Sequence, residues 1–190
     1  TKYFSYSVVL FDPVEVTIAK IADGINFDVA VENQKIYLIS DHYYEFDLAG
    51  NLLSENKTVS DLGQDILDFG PALDIGSQGE VYIIARKEGN VNSGYNLTYS
   101  KKESNGTWTV ENKSLGTPVP RNYVVDVVAT DGGKAMFAHS KLTSDDVKGS
   151  VFFYNLNGTD ISSLGELGTD SLYRIDSDFR MERYQNTLHL

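Results

Sequence analysis

One short apolar run recurs three times in the same frame. It stands as Ile36-Tyr37-Leu38, Val81-Tyr82-Ile83 and Ala135-Met136-Phe137, 45 and then 54 residues apart. A polar turn precedes each copy: Glu32 to Lys35, Ser77 to Glu80, and Asp131 to Lys134. Seven to nine residues ahead of each run an Asp is followed by an apolar residue, at Asp28-Val29, Asp74-Ile75 and Asp126-Val127. Such a period means one small supersecondary unit copied along the chain, each copy leaning on its neighbours for a core. The runs are rich in Tyr, Phe, Val and Ile, and Gly, Asn and Asp separate them. Those are the marks of short antiparallel strands. Asn105-Gly106 and Asn157-Gly158 signal hairpin turns, which need residues tolerant of positive φ. No window carries apolar residues at convincing helical spacing. The fold class read from this is all-β.

The ends of the chain extend the pattern. Phe179 to Leu190 aligns residue for residue with Phe27 to Leu38, behind Asp178, and then stops after a second strand. Ser5 to Asp12 ends in Phe11-Asp12 as Tyr43 to Asp47 ends in Phe46-Asp47, and Val14 to Ala19 alternates strictly. Joined head to tail, these segments would complete one more unit. The expectation is a single domain over 1–190, a four-bladed β-propeller with the last blade shared between N- and C-terminal strands. Its units would run approximately 25–66, 67–120, 121–172, and 173–190 plus 1–24. A shared blade would seal the open sheet edges with main-chain hydrogen bonds. A piece of a longer propeller and a β-sandwich stay open beside it.

Composition narrows the function. The chain carries 27 acidic against 16 basic side chains, a formal charge of -11. A surface of that sign does not bind nucleic acid by neutralising phosphates. Without Cys there is no disulfide framework, zinc ribbon or thiolate chemistry. No apolar run approaches the ~20 residues of a membrane-spanning helix, so membrane insertion is not expected. No charged-then-apolar leader follows Thr1, so a signal peptide is read as absent or already removed. Five N-x-S/T acceptor triplets, at Asn56, Asn96, Asn105, Asn112 and Asn157, exceed the about two that chance spacing gives. They point to a secreted or cell-surface, glycosylated protein.

The stretch from Asp28-Val29-Ala30-Val31 through Ile36-Tyr37-Leu38-Ile39-Ser40-Asp41-His42-Tyr43-Tyr44-Glu45-Phe46-Asp47 resembles a hemopexin-type repeat. It shares the Asp-apolar-Ala start, the Tyr-bearing second strand and the aromatic third strand. The resemblance covers one unit well, the units at Asp74 and Asp126 fairly, and the fourth poorly. It implies a four-bladed propeller with ions in the channel. The closing disulfide and the Trp- and Pro-containing outer strand of that family are missing, and the blades are rotated relative to the termini. Tyr99 to Thr109 alternatively resembles a sialidase-type Asp-box hairpin, with Ser104-Asn105 where an Asp is expected.

The recurring Asp28, Asp74, Asp126 and Asp178 are the candidate metal residues. In a propeller they would lie near the channel, where a ring of oxygens suits Ca²⁺. The structural alternative is that each accepts main-chain N–H bonds where a strand begins. Asp145-Asp146 and Asp170, Asp176 and Asp178 read as solvated acidic clusters. A two-carboxylate hydrolase would need a pair held across the channel. His42, His139 and His189 form no H-E-x-x-H pair. Gly76-Ser77-Gln78-Gly79 and Gly132-Gly133-Lys134 read as turns rather than a nucleophile elbow or a phosphate loop. Arg86, Arg121, Arg174, Arg180 and Arg183 lack the Tyr–Glu partner frame of a sialidase. Tyr43, Tyr44, Tyr82, Tyr95 and Tyr99 suit core packing better than sugar stacking.

The function expected is a non-catalytic, secreted or cell-surface binding and assembly module, with protein, glycan or another copy of itself as partner and no certain cofactor. The alternative is a propeller-type hydrolase or lactonase using channel carboxylates and Ca²⁺.

Overall fold

The computed structural model of the chain describes residues 7–9, 15–17, 27–40, 42–57, 70–87, 95–119, 124–142, 149–168, 181–184 and 187–189. Every regular element among them is a strand, and every pairing is antiparallel. Three sheets have four strands each. The first holds β3 (Asp28–Glu32), β4 (Lys35–Ile39), β5 (Tyr43–Asp47) and β6 (Leu52–Asn56). The middle sheet holds β7 (Ala72–Ile75), β8 (Val81–Lys87), β9 (Tyr95–Lys102) and β10 (Trp108–Val119). The third holds β11 (Val125–Thr130), β12 (Lys134–Leu142), β13 (Gly149–Asn157) and β14 (Asp160–Gly168). Within each sheet the strands lie in chain order, so every connection is a hairpin. The three repeated runs are the second strands β4, β8 and β12.

Turn chemistry fixes the registers. Asn33 and Gln34 link Glu32 to Lys35 with φ of 51° and 61°, the two positive values that a two-residue turn of this hand requires. Gly106 (φ 88°) and Gly158 (φ 58°) turn the β9–β10 and β13–β14 hairpins, so both Asn-Gly pairs mark real turns.

Strand alternation gives the middle sheet two apolar faces. Val81, Ile83 and Ala85 pack with Tyr37, Ile39 and Tyr43 of the first sheet. Tyr82, Ile84, Leu97 and Tyr99 pack with Val125, Val127, Ala129 and Phe137 of the third. The sheets therefore stack face to face with a core at each junction. The third sheet adds an aromatic ladder there: Phe137 stacks on Tyr154 at 4.6 Å, and His139 on Phe152 at 5.3 Å. The outward faces are apolar too. Ile36, Tyr44 and Phe46 cluster on the first sheet, while Val128, Ala138 and Val151 cluster with Met181 on the third.

The terminal strands correct the expected ring. β1 (Ser7–Val9) pairs with β2 (Glu15–Thr17), and β15 (Glu182–Tyr184) with β16 (Thr187–His189), each as a separate two-stranded sheet. Among the described residues no pairing joins them, so a closed four-bladed propeller with a shared last blade is not formed. The hemopexin-type resemblance falls with it. The physical reason is local: each end pairs two short strands with each other, and a repeat in the sequence specifies a hairpin, not the seam between distant hairpins. The aligned C-terminal segment does reproduce the hairpin it was matched to, with Tyr184 opposite Thr187 as Glu32 is opposite Lys35.

Candidate functional site

The repeated Asp residues begin the site because they sit on the first strands, where the sheets meet. Each uses one carboxylate oxygen on the N–H of the residue after it: Val29 at 3.0 Å, Ile75 at 2.8 Å and Val127 at 2.9 Å. The other oxygen crosses to the element that follows. Asp28 accepts from Leu73 N at 2.8 Å, Asp74 from Ala129 N at 2.7 Å, and Asp126 from Met181 N. These are long-range contacts, spanning 45 or 55 residues of sequence. Each staples one unit to the next, which is the main-chain role anticipated as the alternative to metal binding. Burial pushes the Asp74 carboxyl above its ordinary value and outweighs the two N–H bonds that favour ionisation. Asp178 lies outside the described residues. Among those described, no three His, Cys, Asp or Glu side chains are grouped to hold a metal.

A second set of polar contacts lies where the hairpin turns of the sheets line up. Asn33 of the β3–β4 turn approaches Gly79 of the β7–β8 loop, and Gly133 of the β11–β12 turn approaches Lys101 and Glu80. Alternation at the end of β9 sends Lys101 toward the third sheet and Lys102 toward the first. Lys101 Nζ donates to Gly133 O at 3.2 Å and pairs with Glu103 at 2.9 Å.

Lys102 enters the richer of the two junctions. Its Nζ donates to Glu45 Oε1, which also accepts the Tyr43 hydroxyl at 2.7 Å. Lys35 Nζ donates to Glu45 Oε2 at 3.2 Å. Glu45 is an inward position on β5, buried with 6% of its side chain exposed. Burial alone would raise its pKa. The bonds from Lys102, Tyr43 and Lys35 and the charge of Lys102 outweigh that and hold it below the ordinary carboxylate value. Burial, with Glu45 beside it, pushes the Tyr43 phenol far above its ordinary value, so it stays a neutral donor. Lys102 Nζ also lies 5.4 Å from the centre of the Tyr43 ring and 5.8 Å from that of Trp108. A carboxylate fixed as the anion and two aromatic rings together can hold a cation.

Glu80 and Gly76 show how tight the other loop is. Glu80 Oε2 accepts Gln78 N at 3.3 Å, and a Cβ on Gly76 would stand 2.5 Å from that same oxygen. Gly76-Ser77-Gln78-Gly79 is thus a closed loop around a buried carboxylate, tied by Gly76 N to Glu80 O and Gly79 N to Gly76 O, each at 2.8 Å. Gly132 and Gly133 form a turn with φ of 76° and 73°.

The remaining sequence candidates separate. Tyr43, Tyr44, Tyr82 and Tyr99 are buried. His139 is buried against Phe152 and Tyr154, with Nδ1 3.2 Å from Ser140 O, and His42 leans on Tyr44 at 6.0 Å. Asn105 is exposed in a turn, Asn157 is exposed at the end of β13, Asn56 and Asn112 are half-buried in strands, and Asn96 lies in β9. Asp145, Asp146, Asp170, Asp176, Arg121, Arg174 and Arg180 lie outside the described residues. Glu45, Lys101, Lys102 and Trp108 fell inside the stretches read as family resemblances, but none of them was given a role of its own. The signal available was a Glu on the buried parity of an aromatic strand and a Lys-Lys pair at a strand end facing both neighbours.

No family model, no curated protein and no solved structure matches the chain.

Proposed function

We propose that the chain is a non-catalytic, secreted or cell-surface binding module that works as a rigid scaffold, with another protein or a second copy as its partner. The observation that carries this reading is how the buried carboxylates are used. Asp28, Asp74 and Asp126 hold the main chain of the following element, and Glu45 is gripped by Lys102, Lys35 and Tyr43. Those groups serve to fix the sheets against one another. The outermost strands offer a partner apolar side chains set among polar ones. Leu52 and Leu53 on β6, and Leu164 and Leu167 on β14, are each about half exposed, and paired apolar side chains on edge strands favour docking.

Sedimentation velocity over a range of concentrations tests the assembly form of the reading. Association that weakens in L52S/L53S or L164S/L167S supports it, and a monomer throughout removes self-association. Expression through a secretory pathway, with mass measured before and after glycosidase treatment, tests the location. Occupied sites at the exposed Asn105 and Asn157 agree with it. Turnover of ester or lactone substrates that depends on added Ca²⁺ would overturn the non-catalytic reading.

A further inference from the structure

The surroundings of Lys102 have the parts of a receptor for an organic cation. The Tyr43 and Trp108 rings meet edge to face at 88°, with centres 5.4 Å apart, and both lie within reach of the same ammonium group. Glu45 completes the enclosure from β5 as the acceptor of the Lys102 bond, while Lys35 grips its other oxygen and is itself 43% exposed. The Lys102 side chain is 12% exposed and that of Glu45 6%. Attraction between a cation and a ring face within about 6 Å grows when water is excluded, and a charge-assisted bond to a carboxylate adds to it.

We propose that Tyr43, Trp108 and Glu45 form a cage for primary or methylated ammonium groups, with Lys102 as its resident intramolecular occupant. The cage belongs to two sheets, since Tyr43 and Glu45 come from β5 of the first and Trp108 and Lys102 from the β9–β10 hairpin of the middle one. Its occupant therefore also latches that hairpin onto the first sheet. Tethering gives Lys102 an effective concentration of the millimolar order or above, so free ammonium ions at similar concentrations do not displace it. Shortening Lys102 frees the cage for an ion of the same class. This assignment stands or falls separately from the binding-module reading.

The test uses the full chain with K102A and K102M, probed with methylammonium and tetramethylammonium chloride at ionic strength held constant with sodium chloride. Trp108 is the single Trp, so its fluorescence reports the site directly. In K102A the signal is expected to change saturably and the Tm to rise, while the wild-type protein stays flat over the same range. K102M loses the same charge but keeps the cage filled with its apolar arm, and is expected to stay flat. Adding E45Q to K102A is expected to weaken methylammonium binding at least about tenfold, the worth of a hydrogen bond to a charged group. A flat response from K102A, or equal responses from K102A and K102M, overturns the cage. Should K102A not fold, NMR of the wild-type protein decides: ε-methylene protons of Lys102 shifted upfield by the two rings support it, and an ordinary shift overturns it.

Discussion

Lys101 and Lys102 are adjacent in β9 and grip opposite neighbours. Lys101 Nζ donates to Gly133 O on the third sheet, while Lys102 Nζ donates to Glu45 on the first. A two-residue period makes this possible, since successive side chains leave a strand on opposite faces. One dipeptide thus fastens the middle sheet on both sides, at the same end of the stack where the turns meet.

Removing the charge of Glu45 leaves the Lys102 ammonium in a largely buried place with its anion gone. E45Q is expected to lose about 3 kcal/mol of stability, the usual cost of breaking one side of a buried pair. K35A should cost well under 1 kcal/mol, because that lysine is 43% exposed and its pairing is screened. Urea unfolding of the two variants checks the contrast, and equal losses would place the junction's strength elsewhere.

Glu45 and Asp74 are expected to titrate in opposite directions from their ordinary values of 4.5 and 3.8. The folded pKa of Glu45 is lowered, so its contribution is present above the ordinary carboxylate value and is lost as pH falls through the lowered one. Asp74 is raised, so its contribution is greatest in the protonated form and declines as pH rises through the ordinary value toward the raised one. NMR titration of the two side-chain carboxyl carbons reads both directly.

The inter-sheet staples predict a pattern of amide protection. Leu73, Ala129 and Met181 should exchange slowly, as donors to Asp28, Asp74 and Asp126. D28A is expected to cost about 1–2 kcal/mol by orphaning a buried N–H, and to speed exchange at Leu73 more than at Ala129. Added Ca²⁺ or a chelator should leave the Tm unchanged, since these carboxylates already serve the main chain. A Ca²⁺-dependent rise in Tm that D28A abolishes would place an ion on the same oxygens.

Alkaline pH should act through the phenols. Burial pushes Tyr43, Tyr82 and Tyr99 well above their ordinary value of 10. The unfolded chain ionises them near that value, so stability falls as pH rises beyond it. Phenolate absorbance is expected to appear in two stages, exposed tyrosines first and these three together with unfolding. A single smooth titration of all 12 Tyr would contradict their burial.

The strands were readable because packing wrote them in two ways. Apolar runs such as Val81 to Ile84 needed burial, and Asn-Gly pairs needed positive φ. The Asp repeat was readable as a position, and its role as a main-chain acceptor was among the readings it allowed. Which amide it holds was not, because Leu73 and Ala129 come from other units and no local pattern announces them. The same applies to Glu45 and Lys102, 57 residues apart. Each looks like a surface charge until two sheets are stacked. The ring failed for a related reason: β1–β2 and β15–β16 satisfy local register, and nothing in a strand's own sequence states which distant edge it will meet.

The Asp staples all run one way, from a unit to the element after it. The stack therefore has a grammar, in which each unit brings a hook and offers an eye. The eyes are not interchangeable: Leu73 stands one residue before Asp74, whereas Ala129 stands three after Asp126, so removing a whole unit would bring a hook to the wrong amide. A chain built this way holds its units in one order, because each hook is fitted to the amide of its own follower.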